Sequence, residues 1–571
     1  MSRVPLAVRC SLTIALLLVA LPALSNAATD CPLEPGWRPN VAQLILLREG
    51  HRSGFQEEDL DLPAGTERGA FCNIDLKGET LNTANLSGYD LRGADFTGAA
   101  LFAADLSGAD LAGAKLRGAD LSSASLAGTD LRATILSDAI LHRADLNGAN
   151  LDKVELYGVD ISDAKLIRAS LREAHLIGAD LSGANLTDAD LSGAKLDKTR
   201  LVGARLHRTN LRGATLRQTV ASGADFYQVD APGAVFIEAE LDKAAFIEAN
   251  LAGADFSGAS LRGAQLIGAT VAGGSFFWAD LLGADLSGVD LTGADLRGAN
   301  LKDTKLFDAR LDDADLRGAD LSGATLIQMT LGGAKLADAD LTGAVYQPDL
   351  APAGGYLTGL RGLETVRFAP GKSGALVRLR ALLREAGLRD LERAATFAIE
   401  GGITRHALTR GEKDVVAGIE GALRLVLFEW TTGYGFYPLR ALVVAAVLAL
   451  VLAVVYAAAI ARDAGGGIYR LWPGGRIDGG VDPTLTRDIA AERLHASGVA
   501  ALRHALYFSA LSALHIGWRD IAVDGWLARL QPRGFVLRAT GWVRVVSGAQ
   551  SLISLYLLGL WLATYFGRPF E

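Results

Sequence analysis

Apolar residues recur every fifth position from Phe71 to Tyr346 without a break in register. Of these 56 positions, 44 are Leu and 7 are Phe, and the others are Ile161, Ala221, Ala231, Val271 and Tyr346. Ala usually stands two residues earlier and Asp most often between, as in Ala94-Asp95-Phe96, Ala119-Asp120-Leu121 and Ala319-Asp320-Leu321. A period of five fits neither the 3.6 of a helix nor the 2 of a long strand. An α-helix would spread the leucines over five directions and leave most of them in water. Short extended sides joined by tight corners aim every Leu at one axis. Gly is frequent two residues after the Leu, where a corner needs positive φ.

Beyond Gln347 the period stops. Residues 374–400 carry apolar positions at helical intervals among many charges, which predicts an amphipathic helical linker, with a second helix near 414–430. The Arg excess suits anionic lipid headgroups or a solvated linker equally. Ala441–Ala461 and Val545–Phe566 are uncharged runs of 21 and 22 residues, each long enough to cross about 30 Å of hydrocarbon. Trp542, Tyr556, Trp561, Tyr565 and Phe566 supply interfacial anchors. At the other end, Arg3 and Arg9 stand before the apolar run Leu12–Leu24, and small residues follow at Ser25–Ala28. This predicts a secretory signal peptide over 1–27, with an uncleaved signal anchor as the alternative.

The A-(D/N)-L-x-x pattern resembles the pentapeptide-repeat family. The resemblance implies a right-handed quadrilateral β-helix with four pentapeptides per coil. The 56 units make 14 coils, a rod roughly 65–70 Å long at the spacing of neighbouring strands. Each coil of a solenoid touches only its neighbours and the ends need caps. The expected organisation is a signal over 1–27, an N-terminal cap over 28–70 and the β-helix over 71–346. A cap and helical linker over 347–437 and a two-span membrane domain over 438–571 complete it.

Composition sharpens this picture. Half of the residues are hydrophobic but only 7% are aromatic, as a narrow Leu/Ala solenoid plus membrane spans requires. The net charge of −8 hides an acidic repeat segment of −13 and a remainder of +5. Some members of the family mimic duplex DNA through an acidic surface. Here Asp belongs to the repeat itself, the segment is expected outside the cytoplasm, and no insertion projects a binding loop. DNA is therefore not an expected partner. Signal cleavage would remove Cys10 and leave Cys31 and Cys72 in an oxidising compartment. A disulfide between them would close a loop of about 40 residues and contribute about 3–4 kcal/mol on the chain-entropy model. Two buried thiols are the alternative.

Between the spans, Ala505–Asp520 resembles the pore helix and filter of two-span potassium channels, which end in T-x-G-Y-G-D. In ungapped register His515 falls at the filter Thr, Ile516 at the hydrophobic position and Gly517 at the first Gly. Trp518 then matches the Tyr, Arg519 the second Gly and Asp520 the Asp. The resemblance implies a homotetramer if the domain assembles as a pore. Arg519 and His515 depart from a filter that aims backbone carbonyls at a dehydrated ion. A re-entrant helix that packs the hairpin is the alternative. Thr431-Thr432-Gly433-Tyr434-Gly435 also fits the filter letters, but it precedes the first span, so Trp430, Tyr434, Phe436 and Tyr437 read as an aromatic belt. An export signal places 28–440 outside, whereas a potassium-channel hairpin has both ends inside, and Arg and Lys before the first span favour the latter orientation.

No catalytic, phosphate-binding or dinucleotide motif appears in context, and no Cys/His cluster has zinc-ligand spacing. No enzyme, cofactor or metal is expected. The expected protein is a bacterial inner-membrane scaffold whose periplasmic rod meets a protein partner. The alternative is an ion channel whose rod senses or assembles.

Overall fold

The computed structural model describes residues 38–39, 70–352, 356–410, 415–432, 437, 439–461, 468–471, 491–494, 496–514, 536–539 and 541–565. The expected signal and nearly all of the expected N-terminal cap fall outside them. The chain divides into two compact units, Met1–Gly362 and Leu363–Glu571.

In the first unit the residue before each inward Leu or Phe pairs in parallel with the residue twenty positions later. Asp75 pairs with Asp95, Asp95 with Lys115, and the same step runs on to Asp320 with Asp340. Twenty residues are four pentapeptides, so each coil has four sides. Leu101 N–H donates to the Asp120 carbonyl at 2.7 Å and Ala103 N–H to the Ser122 carbonyl at 2.9 Å, while Ala104 N–H closes the corner onto Leu101 at 3.0 Å. The corner residue two after the Leu has φ between +51° and +73° along the whole rod, in Gly98 (+67°) and in Ala103 (+53°) alike. Glycine is favoured there because a side chain resists that backbone.

The core is a column of Leu and Ala with almost no exposed surface. Where Thr replaces the Ala, its hydroxyl finds a main-chain acceptor. Thr209 Oγ1 donates to Leu186 O and Thr219 Oγ1 to Leu196 O, both at 2.8 Å. That satisfies a buried polar atom which would otherwise cost about 1–3 kcal/mol. From residue 226 the column becomes aromatic. Phe226 and Phe246 stack on one side with centroids 4.4 Å apart, and Phe236, Phe256 and Phe276 stack on the opposite side at 4.7 and 5.0 Å. The coil continues past Tyr346. Strand β1 (Thr325–Ile327) pairs in parallel with β2 (Val345–Gln347), and Asp340 pairs with Arg361 after a step of 21.

The second unit opens with two helices, α1 (Gly374–Glu385) and α2 (Arg389–Arg410). The linker helix expected over 374–400 is broken at Gly387, whose φ of +73° lets its N–H reach Arg384 O and lets Leu388 N–H reach Leu383 O. Helix α3 (Val415–Arg424) runs on as a π-helical turn, Leu425–Glu429, and ends at Thr432. Helix α4 is Leu439–Ala461, α5 Gly498–Leu514 and α6 Gly541–Tyr565. A small antiparallel sheet that periodicity did not predict lies between them, in the order β4 (Ala491–Arg493), β3 (Ile468–Leu471), β5 (Val536–Ala539). Ile468 joins Tyr456, Phe508 and Val543 in the core where α4, α5 and α6 meet.

Candidate interaction surfaces

Most of the repeat Asp residues close a corner. Their Oδ1 accepts the main-chain N–H two residues on, as from Asp105 to Ser107 at 3.0 Å and from Asp320 to Ser322 at 2.9 Å. A Ser or Thr at that second position adds its hydroxyl to the same oxygen, at 2.6 Å for Thr97 on Asp95. This Asx turn offers the backbone a local partner at each bend and explains why Asp recurs. Where Arg stands there instead, the pair is bidentate. Arg92 holds Asp90 at 2.8 and 2.7 Å, Arg297 holds Asp295 at 2.8 and 2.6 Å, and Arg317 holds Asp315 at 2.8 and 2.7 Å. The guanidinium hydrogen bonds lower the carboxyl pKa of Asp90, Asp295 and Asp315 from its ordinary value.

The charge of the rod is zoned. Residues 71–163 carry a net −7 and 221–346 a net −11, but 164–220 carry +5. Arg172, Arg208 and Arg212 of this belt are engaged by Asp152, Asp188 and Asp230. Among the described residues, Arg168, Lys195, Lys198, Arg205 and Arg217 have no carboxylate within ion-pair distance. Further along, Phe277 and Trp278 project from one corner, Trp278 with φ +55° and 68% exposed. The Arg297 guanidinium lies 5.1 Å from the Phe277 ring centre, and the Trp278 indole covers Gly298, where an added Cβ would stand 3.0 Å from it.

In the second unit polar groups meet between helices beside the apolar core, and further apolar side chains point away. Gln550 of α6 donates to Ser509 Oγ of α5 at 2.8 Å, Tyr456 of α4 donates to Gln550 Oε1 at 2.8 Å, and Ser509 Oγ donates to Ala449 O at 2.7 Å. Ser512 and Ser547 are 2.8 Å apart, and Ser551 donates to the Ser512 carbonyl. Val443, Leu450 and Val454 on α4 and Val545 and Leu552 on α6 are exposed. Helices α4 and α6 provide stretches of 23 and 24 residues long and apolar enough to cross a membrane.

Of the residues singled out from sequence, His515, Ile516, Gly517, Trp518, Arg519 and Asp520 lie outside the described residues. Helix α5 ends at Leu514, directly before them. Cys72 is buried and disulfide-bonded, and Cys31 lies outside the described residues. No group of three His, Cys, Asp or Glu side chains that could hold a metal occurs among the described residues.

Coils of four pentapeptides with Leu inward and Asx-closed corners define a solenoid protein. A family model described as Pentapeptide repeats (8 copies) matches in successive stretches from 81–118 to 309–345. Among solved structures, HetL, a pentapeptide repeat protein involved in heterocyst differentiation regulation from the cyanobacterium Nostoc, is 33% identical. The match covers 38% of this chain and 89% of that one, with a TM-score of 0.26. A pentapeptide repeat protein from the Arabidopsis thaliana thylakoid lumen is 34% identical over 20% of this chain and 63% of that one, with a TM-score of 0.12. Full-length QnrB1, a plasmid-mediated fluoroquinolone resistance protein, is 19% identical over 41% of this chain and 97% of that one, with a TM-score of 0.21. No curated protein matches. Residues 81–345 thus carry the repeats of the pentapeptide-repeat family, which build a right-handed quadrilateral β-helix.

Proposed function

We propose that this protein is a non-catalytic interaction rod tethered to a membrane. The observation that carries the reading is the apolar outer surface of α4 and α6, together with the polar side chains held between the helices. Their mutual contacts hold Tyr456, Ser509, Ser512, Ser547 and Gln550, while Val443, Leu450, Val454 and Leu552 face outward. A bundle in water has the opposite arrangement, and helices in hydrocarbon use polar side chains as interhelical glue. At 1.5 Å per residue, 23 residues reach about 35 Å, enough for the apolar core of a bilayer. The repeat Asp residues support a structural role, since most of them close a corner. The basic belt and the Phe277–Trp278 corner are the surfaces offered to a protein partner, and DNA is not that partner.

With residues 1–27 read as an export signal, the proposal puts the rod on the periplasmic side of a bacterial inner membrane. Phosphatase and fluorescent-protein fusions after Tyr346 test this. Phosphatase activity with a dark fluorescent fusion is expected, and the reverse pattern overturns export. Resistance to alkaline extraction tests the anchor separately. In the same compartment Cys31 is the partner left for Cys72, and non-reducing peptide mapping checks that pairing.

A second reading is an ion channel, favoured by the packing of α5 against both α4 and α6 directly before His515. Reconstitution with single-channel recording distinguishes the two. Currents abolished by Gly517→Ala or Asp520→Asn would replace the scaffold reading with a homotetrameric pore.

A further inference from the structure

Helix α3 and the π-helical turn that continues it present their apolar side outward. Val415, Ile419, Leu423, Val426 and Trp430 are 74%, 57%, 54%, 48% and 63% exposed. On an α-helix advancing 100° per residue Val415, Ile419 and Leu423 fall within about 80° of one another and form one stripe, which exposed Val426 and Trp430 continue beyond α3. The far side of α3 packs on α2. There Gly421 comes so close that an added Cβ would stand 2.8 Å from the Leu408 nitrogen. Arg424, also turned from the stripe, is held by Glu400 of α2 at 3.2 Å and by Glu420 at 3.0 Å. A surface helix in water buries its aliphatic stripe against its neighbour and leaves its ion pairs outside. Helix α3 turns its aliphatic stripe outward instead.

We propose that Val415–Thr432 lies in the plane of the bilayer, with this stripe sunk into the boundary between headgroups and acyl chains. The inference rests on the reading of α4 and α6 as membrane spans. Three observations favour lipid as the occupant. The chain passes from Thr432 to the start of α4 at Leu439 within a few residues, so the stripe ends where a membrane-length helix begins. The Tyr556 hydroxyl of α6 donates to the Leu427 carbonyl at 2.7 Å, fastening the π-helical turn to the other membrane-length helix. Tyr437 lies under the Arg440 guanidinium at 4.0 Å, and Trp430 is exposed on the stripe itself, the residue types that collect at the water–lipid boundary. A charged side and an apolar side on one helix are what in-plane binding requires.

The test uses the full chain in vesicles of phosphatidylcholine and phosphatidylglycerol. A benzophenone side chain is placed singly at position 419 or 423, with position 450 on the outward side of α4 as reference and position 405 on exposed α2 as the water-side control. Photolysis and mass analysis of the adducts then report what each position touches. Lipid adducts at 419 and 423 with a yield like that at 450, and their loss at 405, are the expected result. Lipid adducts at 450 with only protein adducts, or none, at 419 and 423 overturn the in-plane helix and leave the spans intact. Failure at 450 as well overturns the membrane reading and this inference with it.

Discussion

Phe246 offers a sharp test of how the rod holds together. Its ring has no exposed surface, stacks on Phe226 at 4.4 Å and meets the edges of Phe236 and Phe256, both at 5.9 Å. Phe246→Ala removes the buried ring and leaves a cavity in a core only four side chains wide, a change that costs about 3–5 kcal/mol. Phe246→Leu restores the commonest inward residue but loses three ring contacts, each worth about 0.5–1.5 kcal/mol beyond burial, so about 1.5–4.5 kcal/mol is expected. In a solenoid each coil is stabilised by its neighbours, and the loss stays local. Hydrogen exchange followed by mass spectrometry reads this directly. With Phe246→Ala, amides of residues 221–270 should exchange about a hundredfold faster or more, since 1.4 kcal/mol is tenfold, while those near 100–140 hold their rate. Uniform acceleration along the whole rod would refute the coil-by-coil account. An unchanged rate near Phe246 would refute the importance of the stack.

Other outcomes follow from the corners and the helices. Ala103 adopts φ +53°, so Ala103→Gly should relieve backbone strain and raise the thermal midpoint by the equivalent of about 0.5–1 kcal/mol, whereas Ala104→Gly, inside the core, should lower it. The carboxyls of Asp90, Asp295 and Asp315 are lowered by their arginines. Their contribution is therefore complete above the unfolded carboxylate pKa of about 4 and disappears as pH falls through the lower folded values. A melting series should be flat from pH 7 to about 5 and decline below about 4, and replacing Arg92, Arg297 and Arg317 by Ala should make that decline shallower, because the folded carboxyl pKa values then return toward the unfolded one. Gln550→Leu removes the acceptor of the Tyr456 hydroxyl at Oε1 and loses the bonds to Ser509. It should cost about 1–3 kcal/mol in a detergent thermal-shift assay, more than Tyr456→Phe.

The rod was legible in advance because its rule is arithmetic: one apolar residue in five with no insertion permits little besides four short sides. Gly98 announced a corner by its type. Ala103 and Trp278 did not, since their positive φ is imposed by the coil rather than by their own preference. The aromatic column was visible as letters, but that Phe226 faces Phe246 rather than Phe236 depends on twenty residues making one coil. Summed charge concealed the basic belt, because 164–220 were averaged with two acidic neighbours. In the second unit, the apolar length of α4 and α6 was plain. The break at Gly387 and the outward turn of α3 were not, since an amphipathic pattern does not say which side meets protein. The sheet of Ile468–Leu471, Ala491–Arg493 and Val536–Ala539 pairs short runs far apart in sequence, beyond what a local period can signal.

Coils of twenty residues built from units of five give the rod a phase as well as a length. Losing one pentapeptide would keep every downstream Leu on the axis, yet carry each downstream outward side chain a quarter turn to the next side. Losing four would shorten the rod and leave its bearings unchanged. The Phe277–Trp278 corner and the basic belt are thus aligned by the number of units between them, modulo four. Change in such a chain can rotate one surface feature against another while the core registers nothing.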